Sequence, residues 1–172
     1  MTAGHVLVVD DEKSQRDIMT MILEGEGYTV EAASNVTQAR AFFRSHHADV
    51  VLTDLSMPER DGLSLLEELV KLDPEALVIL ITAYGTIGSA VQAMKKGAAD
   101  FLTKPVDREE LLITIAKAFE KIRLVKENRQ LKQQLYEKFK VDNILGHHSL
   151  MQEVFRVIKK VAASQATVLV TG

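Results

Sequence analysis

Val-Leu-Val-Val-Asp-Asp at residues 6–11 is a short apolar run that ends in two acidic residues. Because no polar residue interrupts the run, it is typical of a strand covered on both faces of a sheet. Comparable runs recur along the chain, separated by stretches with helical apolar spacing. We predict strands at 5–9, 28–32, 50–53, 77–81 and 101–103. This alternation predicts an α/β fold, a doubly wound parallel sheet of five strands with helices on both faces.

The composition is that of a globular protein. The chain has 172 residues, of which 47% are hydrophobic and 26% charged. It contains no cysteine, which excludes disulfides, iron–sulfur clusters and cysteine-ligated zinc. No apolar run approaches the roughly 18 residues that a membrane-spanning helix needs, and no signal-peptide core precedes Asp10. We therefore expect a cytoplasmic protein without a membrane partner.

The charge changes sign along the chain. Residues 1–116 carry 10 basic and 19 acidic side chains, whereas residues 117–140 carry 8 basic and 3 acidic ones. The basic segment belongs to a stretch without Gly or Pro, residues 107–140, which predicts one long helix with Asp107 as its N-cap. A solvated helix face explains this basic charge better than nucleic-acid binding, because the few aromatic residues of the segment form no pattern interleaved with the basic ones.

Two apolar stripes run along this predicted helix, displaced by about 100° from each other. We expect the first to pack on the sheet and the second to face a partner helix. An Asn at an a-type position suits a parallel two-stranded coiled coil, and hence a homodimer. The alternative is a single helix packed only on its own domain. The first stripe is Leu111, Ile115, Ala118, Ile122 and Val125, and the second is Leu124, Asn128, Leu131 and Leu135.

The last part of the chain predicts a third piece. Ser149 and Gln152 have the spacing of a capping box at the start of a helix over 150–163, and a strand follows at 167–171. One helix and one strand cannot form a core of their own, so we interpret them as the start of a further domain. The predicted division is therefore 1–120 for the main domain, 121–140 for a helical linker and 141–172 for this start.

Polar residues follow the predicted strands where the strands end. Asp10 and Asp11 follow the first strand, Asp54 the third, Thr82 the fourth and Lys104 the fifth. The carboxyl ends of parallel strands meet at one edge of a sheet, which is where such folds bind ligands. Carboxylates 4–5 Å apart repel one another by about 3–4 kcal/mol per pair at an effective dielectric constant of 20, so they require a cation. Oxygen ligands alone select a hard ion, above all Mg²⁺.

These charges suit phosphoryl transfer. Three carboxylates, a divalent metal and Lys104 sum to zero, so a phosphoryl group can enter. Asp54 would then be the nucleophile that forms an acyl phosphate, and the metal, Lys104 and the Thr82 hydroxyl would hold the phosphoryl oxygens. For any one aspartate, a cap on the helix that follows is the better interpretation, but the five polar residues at the ends of four strands together favour a site.

The chain resembles the receiver domain of two-component response regulators over residues 4–120. The resemblance rests on Val6–Glu12, Thr53–Pro58, Asp61–Gly62, Ile81–Ala83 and Phe101–Pro105. It implies a flavodoxin-like fold with strand order 2-1-3-4-5, phosphorylation by a sensor histidine kinase and dependence on Mg²⁺.

The same resemblance implies roles for individual residues. Asp54 is the expected phosphoacceptor and Asp11 a direct metal ligand. Asp10 would bind the metal directly or through water, and the main-chain carbonyl of Ser56 would complete the set. Thr82 and Phe101 match the family's switch pair, although Phe101 could equally be an ordinary core aromatic. Lys104 and Pro105 match the family's cis peptide.

Further motifs resemble the NtrC branch of sigma-54-dependent activators. Thr82–Ile87, Ala90–Met94 and Gly97–Ala98 match the receiver of that branch, whereas Ile144–Gly146 and Ala166–Val170 match the opening of its AAA+ ATPase domain. The resemblance implies sigma-54 RNA polymerase and DNA as partners, reached through domains outside this chain. The sequence has no G-x-x-x-x-G-K-[ST] loop, so we expect this fragment to bind no ATP.

Two other functions remain open at this point. A Mg²⁺-dependent phosphatase could also pass through a phosphoaspartate, but Ser56 stands where such an enzyme needs a second acid. The chain could also be a dimerisation module that works without phosphorylation. We expect a signalling domain that is not itself an enzyme.

Overall fold

The structure, a computed structural model, describes residues 4–58, 61–83, 87–138, 149–162, 167 and 169. It divides into two compact units, Met1–Val125 and Lys126–Gly172. The division of the chain into domains at 120 and 140 stays a prediction. No helix among the described residues is both long enough and apolar enough to cross a membrane.

The first unit alternates strands and helices. The strands are β1 (His5–Val9), β2 (Thr29–Ala33), β3 (Val50–Asp54), β4 (Leu77–Thr82) and β5 (Asp100–Thr103). The helices are α1 (Lys13–Gly25), α2 (Val36–His46), α3 (Gly62–Leu72), α4 (Ile87–Lys95) and α5 (Arg108–Lys138). Each of the five strands predicted between residues 5 and 103 is present, and its ends differ from the prediction by at most one residue.

The five strands form one parallel sheet in the order β2-β1-β3-β4-β5. The predicted fold class and strand order are confirmed. In this register Val9 of β1 lies beside Thr53 of β3, so the strands end together and the residues that follow them share one edge. This common edge positions the candidate site.

Alternate residues of each strand enter two different cores, as the pleat requires. Leu7, Val51 and Leu80 belong to the core under α2, α3 and α4, where Leu65 and Phe43 also lie. The other core lies under α1 and α5, and its main members are Val8, Leu52, Ile79, Met19, Leu23, Leu111 and Ile115. Both faces of the sheet are thus covered, which explains the uninterrupted apolar strands.

The long helix begins as predicted. The Asp107 side chain accepts hydrogen bonds from the backbone N–H groups of Glu109 and Glu110, at 2.9 and 3.0 Å, and so caps α5. Leu111, Ile115 and Ala118 of the first stripe are buried. The neighbouring Phe119 stacks on Tyr28 with 5.1 Å between ring centroids. This face therefore anchors the first half of α5 to the sheet.

The second stripe of α5 is exposed in the single chain. Leu124, Leu131 and Leu135 keep 52%, 52% and 55% of their surface accessible, and Asn128 is exposed as well. The boundary between the two units falls inside α5, after Val125. Residues 139 and 140, with which the prediction ends this helix, lie outside the described residues.

The described part of the second unit includes a further helix, α6 (Ser149–Val161). It starts at Ser149 itself, one residue before the predicted start, and Ala162 follows it as a turn. Phe155 is buried, whereas Val154 and Val157 are exposed. The predicted strand 167–171 lies mostly outside the described residues. Thr167 and Leu169, the two that are described, are not in a strand.

Candidate functional site

Three carboxylates meet at the carboxyl edge of the sheet. Asp10 directly follows β1 and Asp54 is the last residue of β3; both are buried, whereas Asp11 is exposed. One carboxylate oxygen from each lies within 4.8 Å of the other two. The three aspartates that the sequence singled out are therefore brought together. Their oxygens are the donors that a hard divalent cation prefers, so the residues present fit a metal ion of that type.

Lys104 neutralises part of this charge. Its Nζ donates to Oδ2 of Asp10 at 2.8 Å and to Oδ2 of Asp54 at 2.6 Å. Its backbone N–H donates to the Thr82 carbonyl at 2.8 Å, which fastens the end of β5 to β4. The Lys104–Pro105 peptide bond is cis, the form that the resemblance implied.

The protonation of Lys104 reflects two opposing effects. Burial lowers the pKa of its ammonium group, whereas the hydrogen bonds and negative charges of Asp10 and Asp54 raise it. The carboxylates win, so the pKa lies above its ordinary value. Lys104 is a permanent cation here at neutral pH.

Backbone amides hold the other oxygen of each buried carboxylate. The N–H of Glu12 donates to Oδ1 of Asp10 at 2.8 Å, and the N–H of Ser56 donates to Oδ1 of Asp54 at 3.0 Å. Both side chains are thereby fixed between an amide and Lys104. Sequence reasoning considered only the carbonyl of Ser56 and missed its amide. The two-residue spacing typical of Asx turns could have pointed to it.

Arg16 is a second residue that sequence reasoning missed. From α1 its guanidinium donates to the main-chain carbonyl of Asp10 at 2.5 Å. This bond ties the first helix to the chain segment that carries Asp10 and Asp11. A separation of six residues follows no helical or turn rule, so the sequence offered no signal for it.

The proposed switch residues lie on the neighbouring strands β4 and β5, with Thr82 at the carboxyl end of β4 and Phe101 paired with Leu80, two residues before that end. Thr82 is buried at the end of β4 and is paired with Thr103 of β5. Phe101 of β5 is half-buried and packs against the core under α2, α3 and α4. Their assignment as a switch pair stays a prediction.

A doubly wound parallel sheet with three carboxylates and a lysine at its carboxyl edge defines the receiver class of signalling domains. In agreement, residues 6–116 match the response regulator receiver domain family. The chain belongs to this family, within the group that contains NtrC and its relatives. A receiver domain is a signalling domain.

Curated relatives match nearly the whole chain. The chain is 35% identical to the C4-dicarboxylate transport transcriptional regulatory protein DctD of Rhizobium meliloti, with 99% of this chain and 37% of that protein covered. It is 36% identical to the regulatory protein AtoC of Escherichia coli, with 100% of this chain and 38% of that protein covered. The chain thus spans less than two-fifths of the length of these relatives.

Solved structures agree with the fold. A response regulator receiver domain protein from Clostridium thermocellum superposes with a TM-score of 0.67 at 36% identity, covering 71% of this chain and 98% of that one. NtrX from Brucella abortus gives a TM-score of 0.72 at 31% identity, covering 95% of this chain and 36% of that one. The first match covers a share of this chain that corresponds to a receiver domain, whereas the second match extends over nearly the whole chain.

Proposed function

We propose that this chain accepts a phosphoryl group on Asp54 from a phosphohistidine of a sensor kinase. One observation carries the proposal: Lys104 Nζ lies 2.6 Å from Asp54 and 2.8 Å from Asp10, in a site that three carboxylates share. This arrangement presents a fixed carboxylate nucleophile with a cation beside it.

In the proposed reaction, an oxygen of Asp54 forms a bond to phosphorus as the bond from phosphorus to the histidine nitrogen breaks. The leaving nitrogen keeps the bonding electron pair, and Asp54 becomes an acyl phosphate. Lys104 remains close enough to pair with a phosphoryl oxygen, and we assign the Thr82 hydroxyl to a second one. The Ser56 amide holds the carboxylate in place.

We assign Mg²⁺ to Asp10, Asp11, Asp54 and the main-chain carbonyl of Ser56. When bound, the ion supplies the positive charge that offsets the carboxylates and the incoming phosphoryl group. Three carboxylates and Lys104 sum to −2, and a divalent cation brings this sum to zero. Phosphorylation should therefore require Mg²⁺.

The experiment is labelling by acetyl phosphate, read by intact mass with and without Mg²⁺. We expect one phosphoryl group on the native chain only when Mg²⁺ is present, and none on Asp54→Ala. Asp100→Ala is the matched control, because Asp100 lies at the start of β5, away from the site. Labelling of Asp54→Ala, or steady release of phosphate from monoesters, would contradict the proposal. The second outcome would favour the phosphatase alternative.

We further propose that the second stripe of α5 binds a second copy of the chain as a parallel coiled coil. The three exposed leucines support this pairing, with Asn128 and Leu135 at a positions and Leu124 and Leu131 at d positions. In a parallel pair, Glu127 at a g position would face Lys132 of the partner subunit at an e position. The apolar seam and this charge match are what support a second copy as the partner.

Sedimentation of a double variant tests the dimer. Leu131→Asp with Leu135→Asp would bury charges in the seam, and we expect monomers. Gln130→Asp with Gln133→Asp adds the same charge at c and f positions and should stay dimeric. A native chain that sediments as a monomer with or without phosphorylation would refute this pairing.

In the complete protein we assign this fragment the control of a sigma-54-dependent transcription activator. The names of the relatives DctD and AtoC support a regulatory role. ATP hydrolysis, DNA binding and contact with RNA polymerase would then belong to domains outside this chain.

A further inference from the structure

Gly62, the first residue of α3, packs directly on the backbone of Asp54. A Cβ atom at position 62 would overlap the carbonyl oxygen of Asp54, and it would lie 2.9 Å from the carbonyl carbon of Asp54 and 3.1 Å from Oγ1 of Thr53. Gly62 does not have the positive φ that Gly27 and Gly97 have. Position 62 therefore requires glycine for space and not for conformation.

The atoms around Gly62 cannot rotate away. The nearest belong to the main chain of Asp54, and Thr53 is buried with its hydroxyl donating to the Asp54 carbonyl at 3.2 Å. A side chain at position 62 could be accommodated only if the end of β3 and the start of α3 moved apart. Such a movement would displace Asp54 itself.

Two backbone hydrogen bonds connect Gly62 to the site. The N–H of Gly62 donates to the Leu55 carbonyl at 3.0 Å, and the N–H of Leu55 donates to the Ile81 carbonyl of β4 at 2.7 Å. Leu55 is thus held between α3 and the sheet. The next residue, Ser56, provides the amide that binds Asp54 Oδ1.

We propose that Gly62 is a positioning residue for phosphorylation, an inference that rests on the proposed function of Asp54. Gly62 allows the start of α3 to pack on the Asp54 carbonyl. This packing fixes the positions of the Asp54 carboxylate and of Ser56 relative to the other residues of the site, which are Asp10, Asp11 and Lys104. Gly62 touches neither the phosphoryl group nor the metal, and acts only through the backbone of Asp54.

The test compares Gly62→Ala with two folded controls. Leu65→Ala removes a fully buried core side chain from the same helix, and Gly27→Ala strains a left-handed backbone in the turn before β2. Mg²⁺ affinity is measured by calorimetry and acetyl phosphate labelling by intact mass, at a temperature where circular dichroism shows each variant folded. We expect Gly62→Ala to bind Mg²⁺ about 10–100-fold more weakly and to be labelled about 10–100-fold more slowly. Both controls should match the native chain.

Each other outcome is decisive. If Gly62→Ala binds Mg²⁺ and is labelled like Leu65→Ala, the positioning role is wrong. If Gly62→Ala is unfolded, the comparison is repeated in sulfate, which strengthens burial. If Gly62→Ala remains unfolded in sulfate while Leu65→Ala is folded, Gly62 is required for folding and the inference is overturned. A native chain that takes up no phosphoryl group with Mg²⁺ refutes the proposed function instead.

Discussion

The three aspartates of the site have different surroundings, and this difference matters for their energetics. Asp10 and Asp54 each have Lys104 and a backbone amide as partners. Asp11 is exposed, within 4.8 Å of both. Without metal, the charge of Asp11 therefore repels the other two carboxylates, and Lys104 offsets this charge less than it offsets the charges of Asp10 and Asp54.

We expect Asp11→Asn to stabilise the protein without metal. Two like charges 4.8 Å apart repel by about 1 kcal/mol at the dielectric constant of bulk water and by about 3 kcal/mol at a dielectric constant of 20. Chemical denaturation without Mg²⁺ should show a gain of that order, and added Mg²⁺ should stabilise Asp11→Asn less than the native chain. Asp17→Asn is the control, because it breaks an ion pair with Lys13 and should give no gain. A loss of stability in Asp11→Asn would contradict the repulsion.

The raised pKa of Lys104 makes its contribution to stability depend on pH at the alkaline end. The pKa of Lys104 is higher in the folded protein than in the unfolded chain, where a lysine has a pKa of about 10.4. Its charge therefore stabilises the folded state fully below about pH 10.4, and this stabilisation is lost as the pH rises through the folded pKa. Lys104→Met should cost about 1–3 kcal/mol at pH 7, less than a fully buried pair because the side chain keeps 19% exposure.

The measurement is the difference in unfolding free energy between native and Lys104→Met without Mg²⁺. We expect this difference to be constant from neutral pH to about pH 10 and to shrink above it. Other titrating groups are common to both chains and cancel. A difference that stays constant or widens above that pH would mean that the charge of Lys104 does not act as described.

For the individual residues of the site, the sequence predicted which side chains come together but not which contacts fix their positions. Parallel strands end at a common edge, so Asp10, Asp54 and Lys104 were expected together from their places in the chain. The Ser56 amide was missed although its two-residue spacing from Asp54 is typical of an Asx turn. The approach of Gly62 to Asp54 depends on distances of tenths of an ångström, on which residue type and spacing carry no information.

Among the elements, α5 shows best what periodicity can predict. Its cap at Asp107 and the burial of Leu111, Ile115 and Ala118 follow from spacing, because an amphipathic face must pack on the sheet. Val125, the last predicted residue of the first stripe, is 39% exposed at the end of the first unit. The exposure of Leu124, Leu131 and Leu135 in the single chain also agrees with a stripe on a different face. Periodicity predicts that the second stripe faces a partner helix, and only an experiment can test this pairing and identify the partner.

A charge exchange on α5 tests the direction of the proposed pairing. Lys132→Glu would oppose Glu127 of the partner subunit twice in each parallel dimer. It should weaken the dimer by about 1–2 kcal/mol, or roughly 5–30-fold in dissociation constant. Glu127→Lys combined with Lys132→Glu restores opposite charges and should recover most of the affinity in sedimentation equilibrium. Recovery would not occur in an antiparallel pair, where g and e positions do not meet each other.

At the scale of the whole molecule, the chemistry and the proposed pairing are carried by different parts of the chain. All residues of the proposed phosphorylation site lie in Met1–Val125, whereas Asn128, Leu131 and Leu135 lie in Lys126–Gly172. Leu124, the first residue of the second stripe, lies in the first unit, two residues before the second unit begins. The pairing surface is present without any phosphoryl group. Dimer formation should therefore not require phosphorylation.

We expect the unphosphorylated native chain to sediment as a dimer at micromolar concentration. Beryllofluoride with Mg²⁺ should change the shape of that dimer and leave its mass unchanged. We expect the change at a contact that the two receivers would make through α4. This result would fit a receiver dimer that restrains the remainder of the protein until phosphorylation. A monomer that dimerises only with beryllofluoride would instead indicate activation by phosphorylation-driven dimerisation.

The stack of Tyr28 on Phe119 provides this protein with an intrinsic optical reporter. The chain has three tyrosines and no tryptophan, and Tyr136 is largely exposed. Of the two tyrosines that the structure describes, half-buried Tyr28, whose ring lies 5.1 Å from that of Phe119, should give the stronger near-ultraviolet circular dichroism. Subtracting the spectrum of Tyr28→Leu isolates this band. Without any attached dye, the band then reports whether the first half of α5 remains packed on the sheet when Asp54 is modified.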